Sequence, residues 1–415
     1  MTEPPRAPAS VEQRVFWVSW LSYFSYYFTR SNFSVAKKPM QQELGLTKDQ
    51  LNYIDLASLS AYCVGQFVHG ALGDVLGPRR LVTLGMLASA ALSVAFGLNS
   101  IISIFILLWA LNGFVQATGW PGNGKLMASW FSARERGEKM GVWSTCYQAG
   151  GVAAKLLATA LLVWGWRAAL LGPALWVTVV ALTFWLAVRD RPSELGYANP
   201  EIDAKLTDAQ LHELRRAAWP VVLKNARVWC LGTTYFFMKM MRYAFIYWLP
   251  FYLYEAYHFD AAKAGYVSIA FDAGGIPLVV FAGFMADRLL GRRRIATAAF
   301  WCLALCGALG LYRVIGDEGL VWNIVGLSLI GGTLFAADSL VSGAASQDLG
   351  GPHAAALACG LVNGIGSIGG IVQGFFTVWI STEYGWDAMF QVFMLFAFLS
   401  ALPLLPFLRV RPHST

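Results

Sequence analysis

Apolar runs of roughly 20 residues recur along the whole chain, each about as long as a helix must be to cross the hydrocarbon core of a bilayer. Twelve can be counted, at 14–37, 50–73, 79–98, 101–124, 139–163, 168–189, 227–252, 263–287, 294–314, 319–345, 354–378 and 386–408, joined by short polar or glycine- and proline-containing segments. With 57% hydrophobic and only 13% charged residues, the chain lies far outside the range of soluble domains. The expected fold is all-α and integral to the membrane, with twelve transmembrane helices in two six-helix halves. The first 13 residues, MTEPPRAPASVEQ, have no apolar core followed by small residues, so no cleaved signal peptide is expected.

The net charge of +7 does not point to nucleic acid once its placement is considered. With the N-terminus inside, 20 of the 31 basic residues fall on the cytoplasmic side, Arg79, Arg80, Arg134 and Arg136 among them. Six fall outside: Lys37, Lys38, Lys48, Arg167, Lys263 and Arg313. This asymmetry places both termini in the cytoplasm. Five more, Arg30, Lys125, Lys155, Lys239 and Arg242, lie within helices or at their ends. The six cysteines have no metal-ligand spacing, and no phosphate-binding loop or paired nucleophile and base is present. No metal, cofactor, enzymatic activity or ATP-driven pumping is expected.

A repeat frames these charges. GALGDVLGPRR (70–80) follows the second run and GFMADRLLGRRR (283–294) follows the eighth; Gly70 and Asp74 pair with Gly283 and Asp287 at an offset of 213 residues. The chain therefore divides into an N-terminal half (1–189), a charged cytoplasmic linker (190–226) and a C-terminal half (227–415). The spacing G-x-L-x-D-x-x-G-x-R-R, repeated in a chain of twelve helices, resembles the signature of the major facilitator superfamily. That resemblance implies a gating role for Asp74, Arg79, Arg80 and Asp287 at the cytoplasmic ends.

Arg30 stands in YFSYYFTRSNFS (23–34), some 16 residues into the first run, and at 1.5 Å per residue lies about 24 Å from its start. Arg242 in the seventh run lies about 22 Å deep by the same reckoning. They are 212 residues apart, as are Tyr23 and Tyr235, which precede them by two helical turns and so share their faces. Tyr26 and Tyr27 join that face in helix one, Lys239 in helix seven. An unpaired arginine at such depth is costly, and each is too deep to snorkel to the cytoplasmic interface. Asp272 is the chief candidate for a neutralising carboxylate, with Asp338 a second; Asp55 lies nearer the outer end. The cations still outnumber these carboxylates, and guanidinium forks suit phosphate or carboxylate oxygens, so Arg30 and Arg242 are read as an anion clamp with tyrosine hydroxyls as further donors.

The segments YYFTRSNFSVA, LNGFVQATGWPGNGK (111–125), ERGEKMGVWS (135–144), RDRPSELG (189–196) and MRYAFIYWLPFYL (241–253) resemble one family of that superfamily, the organophosphate:phosphate antiporters. The resemblance implies that Arg30 and Arg242 bind substrate phosphate and that Tyr23 and Tyr27 line the site, with Tyr235, Lys239, Tyr147, Gln148 and Asp272 as further candidates. Its implied cargo is an organic phosphate and inorganic phosphate, carried by a monomer in a bacterial inner membrane. Three departures leave the choice of organic phosphate open. Tyr147 stands where glycerol-phosphate members have a histidine, Ser31 replaces a lysine, and GLVNGIGSIGGIVQG (360–374) replaces a charged pair in helix eleven. There Asn363, Ser367 and Gln373 meet substrate hydroxyls or pack helices. Two alternatives stand beside transport by exchange: a sugar-phosphate sensor that does not transport, and a proton-coupled organic-anion symporter in which Asp272 titrates.

Overall fold

The structure, a computed structural model, describes residues 5–131, 139, 142, 143, 145–198, 220, 223–290 and 293–409. Packing divides the chain into two units, Met1–Lys205 with Phe259–Tyr266, and Leu206–His258 with Val267–Thr415. In the first, the helices are α1 (Ala9–Tyr26), α2 (Asn32–Leu44), α3 (Lys48–Leu76), α4 (Pro78–Gly97), α5 (Ile102–Gln116), α6 (Gly119–Trp130), α7 (Cys146–Leu161) and α8 (Ala168–Ala187). In the second they are α9 (Ala226–Tyr257), most of α10 (Ala261–Phe284), α11 (Arg294–Ile315), α12 (Leu320–Ser339), α13 (Ser346–Glu383) and α14 (Gly385–Ala401). Two of the predicted runs are therefore split, the first into α1 and α2, the fourth into α5 and α6.

Among the described residues, nine helices are long and apolar enough to cross a membrane. The predicted runs 14–37, 50–73 and 227–252 are helical but fall short of that measure. They are the ones that carry Arg30, Asp55, and the pair Lys239 and Arg242.

Each arginine-bearing helix is held by close backbone approach. A Cβ on Gly150 of α7 would stand 2.6 Å from the Phe24 carbonyl oxygen of α1, and one on Gly369 of α13 would stand 2.2 Å from that of Phe236 in α9. Only glycine permits such contact. Phe24 and Phe236 differ by the same 212 residues as the arginines, so the repeat extends from charge to packing. Aromatic, aliphatic and small residues fill both cores, among them Tyr23, Tyr26, Trp130 and Trp143 in the first unit, and Leu231, Tyr235, Cys302 and Ala337 in the second.

The first run is not one continuous helix. After α1 the chain tightens into a 3-10 turn, Tyr27–Thr29, and Arg30 sits at φ −114° before α2 resumes. Thr29, Ser31 and Asn32 are residues whose side chains compete with helical hydrogen bonds, as the Asn32 Oδ1 does in accepting from the Phe33 N–H at 2.9 Å. Because α2 then runs on to Leu44, Lys37 is not in an outer loop as its charge suggested. It is fully buried and ion-paired with Asp55 of α3, its ammonium over the Phe33 ring.

Candidate functional site

The break in the first span determines how Arg30 is held. Its Nε donates to Gln116 Oε1 at 3.1 Å, and its guanidinium carbon lies 5.1 Å from the centre of the Tyr27 ring and 5.0 Å from that of Tyr62. The amide of Gln116 turns back to the broken helix, reaching Tyr26 O at 3.1 Å, Thr29 Oγ1 at 2.8 Å and Ser89 Oγ at 2.9 Å. Asn112, one turn earlier on α5, donates to Thr29 O at 2.9 Å and accepts from Ser89 Oγ at 2.6 Å. Carbonyls released where a helix breaks must find partners inside a membrane. Here α5 supplies them and, with the same amide, orients the arginine.

An aromatic cluster adjoins this layer. Tyr23 packs against Tyr27 (ring centres 6.3 Å apart), Trp120 (6.2 Å), Trp143 (5.2 Å) and Tyr147 (5.2 Å). Tyr23 and Trp143 are buried, whereas Tyr27, Tyr147 and Gln148 are half-buried and Trp120 is exposed. Tyr26, grouped with Tyr27 by helical spacing, points into the core instead: it is fully buried, donates to Val82 O at 3.2 Å and shares a 2.7 Å hydrogen bond with Thr118. Lys155 of α7 is buried and Lys125 of α6 half-buried.

In the second unit, Arg242 Nη1 donates to both oxygens of Asp338, at 3.1 and 3.0 Å, and its guanidinium carbon lies 5.2 Å from the centre of the Phe335 ring. Phe335 and Asp338 are three apart on α12 and so share a face. Asp338, the second candidate carboxylate, is therefore a partner of Arg242. Asp272, the first candidate, is buried on α10. Lys239 Nζ, at 4.9 Å from the Tyr235 ring centre, donates to Ser367 Oγ at 3.2 Å and Asn363 O at 3.5 Å. Tyr235 itself is buried in the core. Gln373 is buried too and accepts from Thr377 Oγ1 at 3.2 Å.

At the motif, Asp74 lies in α3 and Asp287 in a π-type turn, Met285–Leu289; the side chains of both lie outside the described residues. Arg79 stacks on Trp185, with 3.9 Å from guanidinium carbon to ring centre, and its Nε donates to Trp185 O at 2.7 Å. Its backbone N–H donates to Asp190 Oδ1 at 2.6 Å, which ties the motif to the RDRPSELG segment. Arg80 is exposed, and His69 is buried against Phe114 with ring centres 4.6 Å apart.

Residues 19–374 match the Major Facilitator Superfamily. A probable hexose phosphate transport protein of Chlamydia trachomatis is 29% identical, covering 95% of this chain and 90% of its own length. A putative glycerol-3-phosphate transporter of Arabidopsis thaliana is 33% identical over 85% of this chain and 75% of its own. The chain belongs to the organophosphate:phosphate antiporter family of the Major Facilitator Superfamily. The fold agrees with a solved structure of a bacterial homologue of the human lysosomal transporter Spinster, with a TM-score of 0.73 at 16% identity, covering 96% of this chain and 95% of that one.

Membership makes the molecule a multi-pass membrane transporter and not an enzyme. Against that background, three residues of the layer around Arg30 stand out that spacing alone did not single out. Gln116 and Asn112 are one turn apart inside LNGFVQATGWPGNGK, and two buried amides on one face of an otherwise apolar helix are the signal that could have found them. Tyr62 of α3 carries no comparable signal, because polar and apolar residues are mixed along that helix.

Proposed function

We propose that the protein exchanges an organic phosphate for inorganic phosphate by alternating access, working as a monomer in a bacterial inner membrane with both termini cytoplasmic. The observation that carries this reading is the placement of Arg30 and Arg242 at repeat-equivalent positions, each flanked by aromatic rings and each braced by a polar side chain of a neighbouring helix. Bracing matters because a guanidinium fork binds phosphate well only if its plane is set beforehand. Arg30 and Arg242 hold the phosphate group, Tyr27 and Tyr62 wall the space beside Arg30, and Tyr23, Tyr147 and Gln148 continue that wall. Tyr235, Lys239 and Asp272 set the field around Arg242. Asp74, Arg79, Arg80 and Asp287 act at the gate. The names of the two relatives support an organic phosphate as cargo.

The test is exchange in reconstituted liposomes. Labelled phosphate should enter vesicles loaded with phosphate and enter empty vesicles little, because only a loaded carrier returns. Dissipating a proton gradient should leave exchange intact. Rapid uptake into empty vesicles that collapses with the gradient would overturn this reading in favour of symport, with Asp272 as the titrating group.

A further inference from the structure

Trp120 is 42% exposed although it is anchored on three aromatic neighbours. Its ring centre lies 6.2 Å from Tyr23, 6.0 Å from Trp143 and 6.0 Å from Tyr147, at interplanar angles of 69°, 53° and 48°. Such edge and tilted contacts fix the orientation of an indole without covering its faces. An exposed tryptophan on the lipid side of a helix needs no scaffold of this kind. Here the scaffold includes Tyr23, which packs in turn on Tyr27, one of the rings beside Arg30.

Position along the chain gives the scale. Gln116, whose Oε1 accepts from Arg30, lies four residues before Trp120, so the two are separated by about 6 Å of helix rise across the α5–α6 junction. A phosphate held at Arg30 therefore has an aromatic surface within the reach of one sugar ring. An aromatic face carries negative quadrupole density and attracts polarised C–H bonds. The flat, C–H-bearing face of a pyranose offers several such bonds side by side, whereas glycerol offers a short, mobile chain with no face. Beside the indole, the half-buried Tyr147 ring of α7 places a phenol next to the platform for sugar hydroxyls.

We propose that Trp120 is a specificity-determining residue: a stacking platform that makes a phosphorylated pyranose, in preference to glycerol phosphate, the organic cargo. This rests on the exchange reading above. Tyr147 supports the platform from α7, and Tyr23 fixes its distance from the arginine layer.

The experiment is competition against labelled-phosphate exchange in phosphate-loaded liposomes, with glucose 6-phosphate and glycerol 3-phosphate as competitors. In the wild-type protein the hexose phosphate should compete at a concentration about tenfold lower than glycerol phosphate, in line with one aromatic stacking contact. Trp120→Ala should remove that ratio, and Trp120→Phe, which keeps an aromatic face, should retain most of it. A second measurement does not need transport: Trp120→Cys should react with a charged, membrane-impermeant thiol reagent, and glucose 6-phosphate should slow the reaction more than glycerol phosphate does. Equal competition by the two phosphates in the wild type, an unchanged ratio in Trp120→Ala, or a cysteine that sugar phosphate does not protect would each overturn the platform alone. Absence of any phosphate exchange in the wild type would overturn the exchange reading and this one together.

Discussion

Trp166 donates its indole N–H to Glu43 Oε2 at 2.9 Å, and the second unit repeats the bond between Trp386 and Glu255 Oε2 at 3.0 Å. Glu43 and Glu255 differ by the same 212 residues as Arg30 and Arg242, and each tryptophan follows a glycine with positive φ in a Gly-Trp-x-Ala turn. The bond fastens the far end of each arginine-bearing span to the start of the last helix of its own half. A hydrogen bond to an ionised acceptor is worth about 1.5–3 kcal/mol when well shielded. Trp166→Phe and Trp386→Phe should each lower stability by about 1–2 kcal/mol for this partly buried case, read as a lower thermal midpoint in detergent. Unchanged midpoints in both would show that the clasps contribute nothing.

The charge added to the first clasp sets a pH dependence. Arg167 ion-pairs with Glu43 and also donates to Ser100 Oγ at 2.9 Å. Its hydrogen bond, helped by that of Trp166, holds the Glu43 carboxyl below the usual glutamate range. A depressed folded-state value means that the stabilisation is complete above the unfolded pKa, about 4.3, and is lost as pH falls through the folded value. The stability difference between the wild type and Glu43→Gln should therefore be flat from about pH 8 to 5 and shrink below that. Both side chains reach solvent, so the difference will be small and salt-sensitive. A difference that grows toward acid would contradict the assignment.

Lys37 and Asp55 behave differently because they have no solvent to fall back on, with side-chain exposures of 0% and 1%. Removing one partner of such a pair strands a charge and costs about 3–5 kcal/mol, whereas replacing both with apolar residues is often neutral. Asp55→Asn should thus destabilise the protein strongly, and Lys37→Met with Asp55→Leu should recover most of the loss in a denaturation assay. A double variant as unstable as the single one would mean that the pair does more than satisfy itself.

The arginines, the tyrosines of helix one and the two-fold repeat were legible in the sequence because they rest on spacing along a single helix. What was not legible depends on where helices meet. The break at 27–31 requires the amides of Gln116 and Asn112, which lie some 85 residues away, to receive the freed carbonyls. Asp338 reads in the sequence as a second candidate beside Asp272, and only the facing of α12 toward α9 shows that it meets Arg242. Lys37 reads as a loop charge until α2 is seen to continue past it. Trp120 reads as part of a GWP motif until its neighbours are placed around it.

Gln116 offers a test of how much the bracing of Arg30 matters. Gln116→Met keeps length but removes both the acceptor for Arg30 Nε and the donors for the broken helix. The Michaelis constant for phosphate exchange should rise about tenfold, with a smaller fall in maximal rate, as expected for loss of one hydrogen bond that orients a charged group. Gln116→Glu should raise it further, since a carboxylate competes with phosphate for the guanidinium. Arg30→Lys keeps the charge and loses the planar fork, and binding should weaken about 10–100-fold. Near wild-type binding in Arg30→Lys would show that a point charge is enough and that the bracing is structural only.

Arg242 is held by a carboxylate where Arg30 is held by an amide, and the difference predicts an opposite response to mutation. With side-chain exposures of 18% and 13%, Arg242 and Asp338 are shielded but not sealed, so an incoming anion can reach the guanidinium while Asp338 competes for it. Asp338→Asn removes that competitor and a negative charge from beside the site, and keeps an oxygen that can still accept from Nη1. Equilibrium binding of phosphate should become tighter by about tenfold or more, because two charges a few ångströms apart interact by a few kcal/mol at an effective dielectric near 20, only part of which is realised. Exchange should nonetheless slow, since release from a site without its own counter-charge is harder. Tighter binding with slower turnover, measured on the same preparation, is the expected outcome. Weaker binding in Asp338→Asn would show that the carboxylate serves mainly to aim Arg242, and that its charge does not compete with the cargo.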